Sequence, residues 1–123
     1  MTVPLYLALS VAGGFGAVCR FLLDEFIRAR TPPSLPWGTI IINLTGSFTL
    51  GLATGLLMAQ SIPQPMHLVV GAGFLGGYTT FSTASFETIR LMQRRRFAAA
   101  AVNGFGVLTS AVLVAGAGLW IGV

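Results

Sequence analysis

Few side chains in this sequence are equipped for chemistry, and nearly all of them lie in or beside apolar runs. Arg20 falls inside the first such run, where a charge facing lipid costs on the order of 3 kcal/mol, so it must face protein or water. Asp24, one helical turn on, is its expected partner, with snorkelling to the interface as the other outlet. Thr39, Asn43 and Ser47 recur at a spacing of four and share one helical face. An amide surrounded by hydrocarbon needs a partner, which either hydrogen bonds between helices or a donor-lined pathway would supply. Glu87 has Arg90 three residues on, the spacing of a solvated ion pair near a helix end. No role follows for His67.

The most informative stretch is Gly71-Ala72-Gly73-Phe74-Leu75-Gly76-Gly77-Tyr78-Thr79-Thr80-Phe81-Ser82-Thr83. It places a glycine pair and three threonines in the middle of an apolar segment. Glycine pairs favour a break in a helix. Broken backbone survives at membrane depth only where it is buried in protein or lines a cavity. Freed carbonyls suit cations and a half-helix N-terminus suits anions, so a break here points to an ion site. A glycine-rich packing helix is the alternative.

The elements that must position these residues follow from composition. Of 123 residues, 54% are hydrophobic and only 8% charged, against roughly 25% charged in soluble domains. At roughly 20 residues per spanning helix the length allows four spans and short loops. The expected spans cover residues 4–27, 37–59, 66–92 and 98–121, one transmembrane domain, with the third helix broken near its middle. Proline-rich segments at 31–36 and 60–65 and the Arg94-Arg95-Arg96 run mark the loops. Helices are preferred to a closed barrel because no alternating strands are present. Small residues at Ser47, Gly51 and Gly55 form a stripe for close helix packing. Trp37 and Trp120 fit interfacial anchors.

Other classes are disfavoured. All seven basic residues are arginines, giving a net charge of +4, but they lie at segment ends, with Arg20 inside one, rather than along one solvated face, unlike a nucleic-acid footprint. Cys19 is the single cysteine, so neither a disulfide within the chain nor a cysteine metal site is expected. The N-terminus has no positive n-region, and a cleaved signal peptide is not expected. No nucleophile elbow, phosphate loop or histidine–carboxylate cluster suggests an enzyme.

Along nearly its whole length the chain resembles the CrcB/Fluc family of fluoride channels. The resemblance rests on Gly13 to Arg20, on Gly38-Thr39 through Asn43 to Gly46-Ser47-Phe48, and above all on Gly76 to Thr83. It implies a cell-membrane protein that lowers cytoplasmic fluoride by passive efflux, built as a dimer of antiparallel protomers with fluoride pathways at their interface. It also implies a structural, untransported sodium ion held by backbone carbonyls matching Gly76 and Thr79. Asn43 matches a pore asparagine, Phe81 the first of two pore phenylalanines, and Ser82 and Thr83 the hydroxyls beside the ion path. Thr39, Ser47, Asn103, Thr109 and Ser110 are further polar candidates for the pathway, and Arg20 and Glu87 are structural charges. The chemistry agrees: fluoride is strongly hydrated, so a dry pore must replace its water with amide and hydroxyl donors, and a phenylalanine edge carries partial positive charge.

Two departures qualify the resemblance. Ala84 stands where the family string has its second phenylalanine, and Phe86, two residues on, is turned by about 200° on a helix. The first and third loops carry Arg28, Arg30, Arg94, Arg95 and Arg96, while the second loop and both termini carry no Lys or Arg. The positive-inside rule then puts both termini outside the cytoplasm in a single orientation. An antiparallel homodimer needs both orientations, so pairing with an oppositely oriented homologous subunit is expected. The alternatives are a small multidrug-type proton-coupled antiporter, which needs a carboxylate in a central cavity, and a non-conducting structural subunit.

Overall fold

A computed structural model describes residues 2–123, and among these every regular element is helical. Helix α1 spans Val3–Arg28. Pro4 sits in its first turn, where a missing N–H costs nothing, and the Thr2 hydroxyl accepts the Leu5 N–H at 3.4 Å. Helix α2, Trp37–Met58, starts directly after Pro36, and the chain reverses at Gln60 with φ 59°.

The third apolar segment is assembled from pieces. Helix α3 (Gln64–Leu68) runs into π-helical turns over Val69–Leu75 and a short α4 (Gly76–Tyr78). Thr79 and Thr80 are extended, and α5 (Phe81–Gln93) follows. The last segment is continuous over Phe97–Gly122, with α6 (Phe97–Ala101) and α7 (Val107–Gly122) joined by π-helical turns at Val102–Gly106. The described residues thus form four helical segments. Three helices, Val3–Arg28, Trp37–Met58 and Phe97–Gly122, are long and apolar enough to cross a membrane. Even the shortest, at 22 residues, rises about 33 Å at 1.5 Å per residue.

Backbones meet closely because side chains are missing where they cross. A Cβ at Gly51 or Gly55 would strike the carbonyl oxygens of Ala115 or Leu119, and one at Gly118 that of Phe48, so α2 and α7 pack along the small-residue stripe. Helix α1 docks on the third segment in the same way, with Gly16 against the Phe74 carbonyl and Gly77 against that of Gly13. The buried core is thin, with Ile40, Ile42, Ala53, Leu75 and Leu91 among its members, while Phe15, Phe21, Leu113 and Trp120 are exposed. That inversion suits a lipid environment, which offers helices no hydrophobic drive to associate and leaves close packing to hold them.

Both expected ion pairs are replaced. Arg20 donates Nε–H to the Gly77 carbonyl at 3.2 Å instead of meeting Asp24. Asp24 lies against Gly38, where any Cβ would strike its Oδ1, and its other oxygen takes Arg28 at 2.9 Å. Glu87 pairs with Arg28 at 3.1 Å rather than with Arg90. The reason is its side of the helix: the Glu87 side chain is only 14% exposed, whereas Arg90 is exposed and lies over the Phe86 ring.

Candidate functional site

The chemistry of the third segment starts with its two extended residues. Thr79 (φ −82°, ψ 159°) and Thr80 (φ −148°, ψ 118°) leave the helical region together. Backbone groups stranded in this way must find partners, because a buried unpaired amide or carbonyl costs about 1–3 kcal/mol. Asn43 on α2 supplies two of them. Its Nδ2–H donates to the Thr80 carbonyl at 2.8 Å, and its Oδ1 accepts the Thr80 N–H at 2.9 Å. The Thr80 hydroxyl then accepts the Thr83 N–H at 3.1 Å and caps the start of α5.

These bonds also decide which carbonyls go without their usual donors. In an unbroken helix the Thr80 N–H would return to Gly76 and the Thr83 N–H to Thr79. Here the first goes to Asn43 and the second to the Thr80 hydroxyl. The carbonyls of Gly76 and Thr79 are therefore both relieved of helical bonding. Carbonyl oxygens are the donor type a hard monovalent cation takes, so these residues fit the sodium ion that the resemblance implies as part of its oxygen shell. The Gly77 carbonyl is not equivalent, since Arg20 occupies it.

Beside the extended pair lies an open cavity of about 370 Å3. Its wall brings together Asn43, Ser47, Gly76, Thr79, Phe81 and Asn103, all singled out in the sequence, with Ala84 where a second ring was expected. No charged side chain is among its described lining residues, and its polar groups are amides and hydroxyls. Asn103 is buried and donates to the Thr88 hydroxyl at 2.8 Å, tying the last segment to α5. Phe81 is 83% exposed although it belongs to the wall, so the chain leaves most of this side chain uncovered.

The model of the CrcB-like family, described as "CrcB-like protein, Camphor Resistance (CrcB)", matches residues 7–123. This chain belongs to the CrcB-like family. It is 50% identical over 122 residues, 99% of its length and 89% of the relative's, to "Fluoride-specific ion channel FluC 1" of Leifsonia xyli. A protein of Mycobacterium tuberculosis named "Fluoride-specific ion channel FluC 2" is 38% identical over 98% of this chain and 93% of the relative. One of the same printed name from Cutibacterium acnes is 42% identical over 91% of this chain and 92% of the relative. With its apolar helices, membership makes this CrcB-like chain a multi-pass membrane protein.

Other candidates of the CrcB-like chain fall outside the cavity wall. Ser82 is exposed and Thr83 half-buried on α5, and neither lines the cavity. Thr39 is buried elsewhere on α2. Thr109 and Ser110 are exposed, and their hydroxyls donate at 2.8 Å to the carbonyls of Phe105 and Gly106 in their own helix. Sequence reasoning passed over Ser85 and Thr88, which do line the cavity, and Thr80, which is bonded on both backbone groups. A threonine directly before the α5 helical run was an available N-cap signal. The bond between the Thr45 and Tyr78 hydroxyls at 3.0 Å had no signal, because the residues are 33 apart.

Proposed function

We propose that this chain is a subunit of a fluoride-selective channel that lets fluoride leave the cytoplasm passively. The observation that carries the reading is 50% identity over 99% of the chain to a protein named as a fluoride-specific ion channel. A channel of this kind is not an enzyme. The four helical segments are its spans, in one transmembrane domain, and the extended pair between α4 and α5 is the break in the third.

The pathway runs past Asn43 and Phe81, with Ser47 and Asn103 on the cavity wall. An amide nitrogen has two hydrogens, and Asn43 gives one to Thr80, which leaves one for an anion. The ring edge of Phe81 offers partial positive charge without competing water. Narrow, neutral donors favour a small anion over a larger halide. Ser82, Thr83, Thr39, Thr109 and Ser110 serve only where a second subunit or a conformational change brings them to the path. The carbonyls of Gly76 and Thr79 hold a structural sodium, which supplies fixed positive charge near the anion route.

The exposed Phe81 supports an antiparallel dimer whose second subunit closes the wall. The five loop arginines on one side, with none on the other, orient both termini outside the cytoplasm. Together with Ala84 this favours a homologous subunit of opposite orientation as the partner, in preference to a homodimer. The numbered names FluC 1, FluC 2 and FluC 3 among the relatives are in keeping with organisms that hold several such chains. The antiporter reading is not favoured, since Asp24 and Glu87 are both paired with Arg28 and Glu25 is exposed near the end of α1.

The test is fluoride efflux from liposomes followed with an ion-selective electrode, for the chain alone and for the chain reconstituted with a homologous subunit. Efflux is expected from the mixed preparation. Its absence from both, with folded protein verified, overturns the channel reading; efflux from the chain alone overturns the need for a different partner.

A further inference from the structure

A second cavity, of about 500 Å3, opens at the end of the molecule where the first and third loops meet. It shares no lining residue with the cavity beside Thr79 and Thr80. Four arginines, Arg28, Arg90, Arg94 and Arg96, line it with a single acidic residue, Glu87. Arg28 is already committed to Asp24 and Glu87. Arg96 donates to the Ser34 carbonyl, which ties the third loop to the first. Arg90 and Arg94 have no carboxylate partner among the described residues. The wall therefore carries positive charge in excess, in a recess large enough for a small ligand.

Guanidinium chemistry narrows the ligand. Its planar fork matches the paired oxygens of a phosphate, whereas a lone fluoride offers one contact and holds its water tightly. Location narrows it further. Trp37, an interfacial type of residue, is in the wall, and the exposed Phe86, Ile89 and Phe97 flank it in sequence on α5 and the last segment. A phosphate arriving here with acyl chains attached would meet charge in the recess and apolar side chains outside it. We infer that this cavity binds the phosphate of an anionic lipid headgroup. The proposal requires that the protein sit in a membrane and does not rest on the channel reading.

Native mass spectrometry of the whole chain in detergent tests it, with phosphatidylglycerol, phosphatidylcholine and inorganic phosphate titrated separately. Phosphatidylglycerol should be retained in preference to phosphatidylcholine. The double substitution Arg90→Gln, Arg94→Gln should weaken its binding on the order of thirtyfold, and Arg95→Gln, outside the cavity wall, should leave it unchanged. If the double variant does not fold, Arg94→Gln alone, at an exposed residue, should weaken binding about fivefold. Equal retention of both lipids, or undiminished phosphatidylglycerol binding in the folded variants, overturns the proposal. So does inorganic phosphate competing on equal terms, which would make this a free-anion site. Fluoride efflux is read separately, so failure here and failure of the channel reading remain distinct.

Discussion

Asn43 holds the backbone of Thr80 from both sides, through bonds of 2.8 and 2.9 Å. The amide is suited to this because it presents a donor and an acceptor on one planar group, which neither a carboxylate nor a hydroxyl reproduces in the same geometry. Loss of the clamp should therefore be felt twice, in stability and in conduction. Asn43→Ala strands one N–H and one carbonyl, at a cost of about 1–3 kcal/mol for each group that water does not reach. A lower melting temperature in detergent and abolished fluoride efflux are the expected outcomes. A variant that melts and conducts like the wild type would show that Thr80 is held by other means. The same substitution tests the proposed sodium site, because a Thr80 N–H that returns to the Gly76 carbonyl would take up one of the two oxygens proposed to hold the ion.

At the scale of elements, the interruption between α4 and α5 depends on how closely α1 approaches. A Cβ on Gly77 would strike the carbonyl oxygen of Gly13, and one on Gly16 that of Phe74. Backbone atoms cannot swing aside as a side chain can, and overpacking of this kind costs typically about 1–3 kcal/mol. Gly77→Ala should thus lower the melting temperature and move the Arg20 bond, since Gly77 carries the carbonyl that Arg20 holds. Gly14 gives the matching control: nothing lies within 4 Å of an added Cβ there. Gly14→Ala, helix-compatible and unobstructed, should leave folding intact or slightly improved. If the two variants melt alike, close approach of α1 is not what the glycine at 77 serves.

For the whole molecule, the decisive feature is its one-sided charge. Five arginines lie in or beside the first and third loops, while the second loop and both termini carry none, a bias from which the positive-inside rule predicts a single orientation in the membrane. Cysteine substitutions near each terminus, labelled from outside intact cells, should react in nearly every copy. Neutralising Arg94, Arg95 and Arg96 to glutamine should let a measurable share of copies invert, with labelling reduced accordingly. Labelling of about half the wild-type molecules would instead indicate dual insertion, and with it a chain able to form an antiparallel dimer with itself.

Much of this architecture is legible in the amino-acid chain alone. Eight per cent charge, prolines at the loops and four long apolar runs leave few alternatives to a helical membrane protein, because lipid denies backbone groups any partner but themselves. The Gly76 to Thr83 string locates the irregular backbone and suggests its family. Its surroundings are not legible in the same way. Asp24 has Arg20 and Arg28 at the same spacing of four, and Glu87 has Arg90 three residues on, yet both carboxylates meet Arg28. Local spacing ranks partners within one helix, whereas the 59 residues between Arg28 and Glu87 are closed only by packing. The same holds for Asn43, 37 residues from the threonine it clamps, and for the hydroxyls of Ser85 and Thr88, brought to the cavity by the rotation of α5. The sequence by itself determined the apolar, helical character of the segments and pointed to the stretch whose backbone is irregular. Which donors and carbonyls that break leaves free was decided by tertiary structure, because hydrogen bonds between helices depend on axial register and rotation that no single helix encodes.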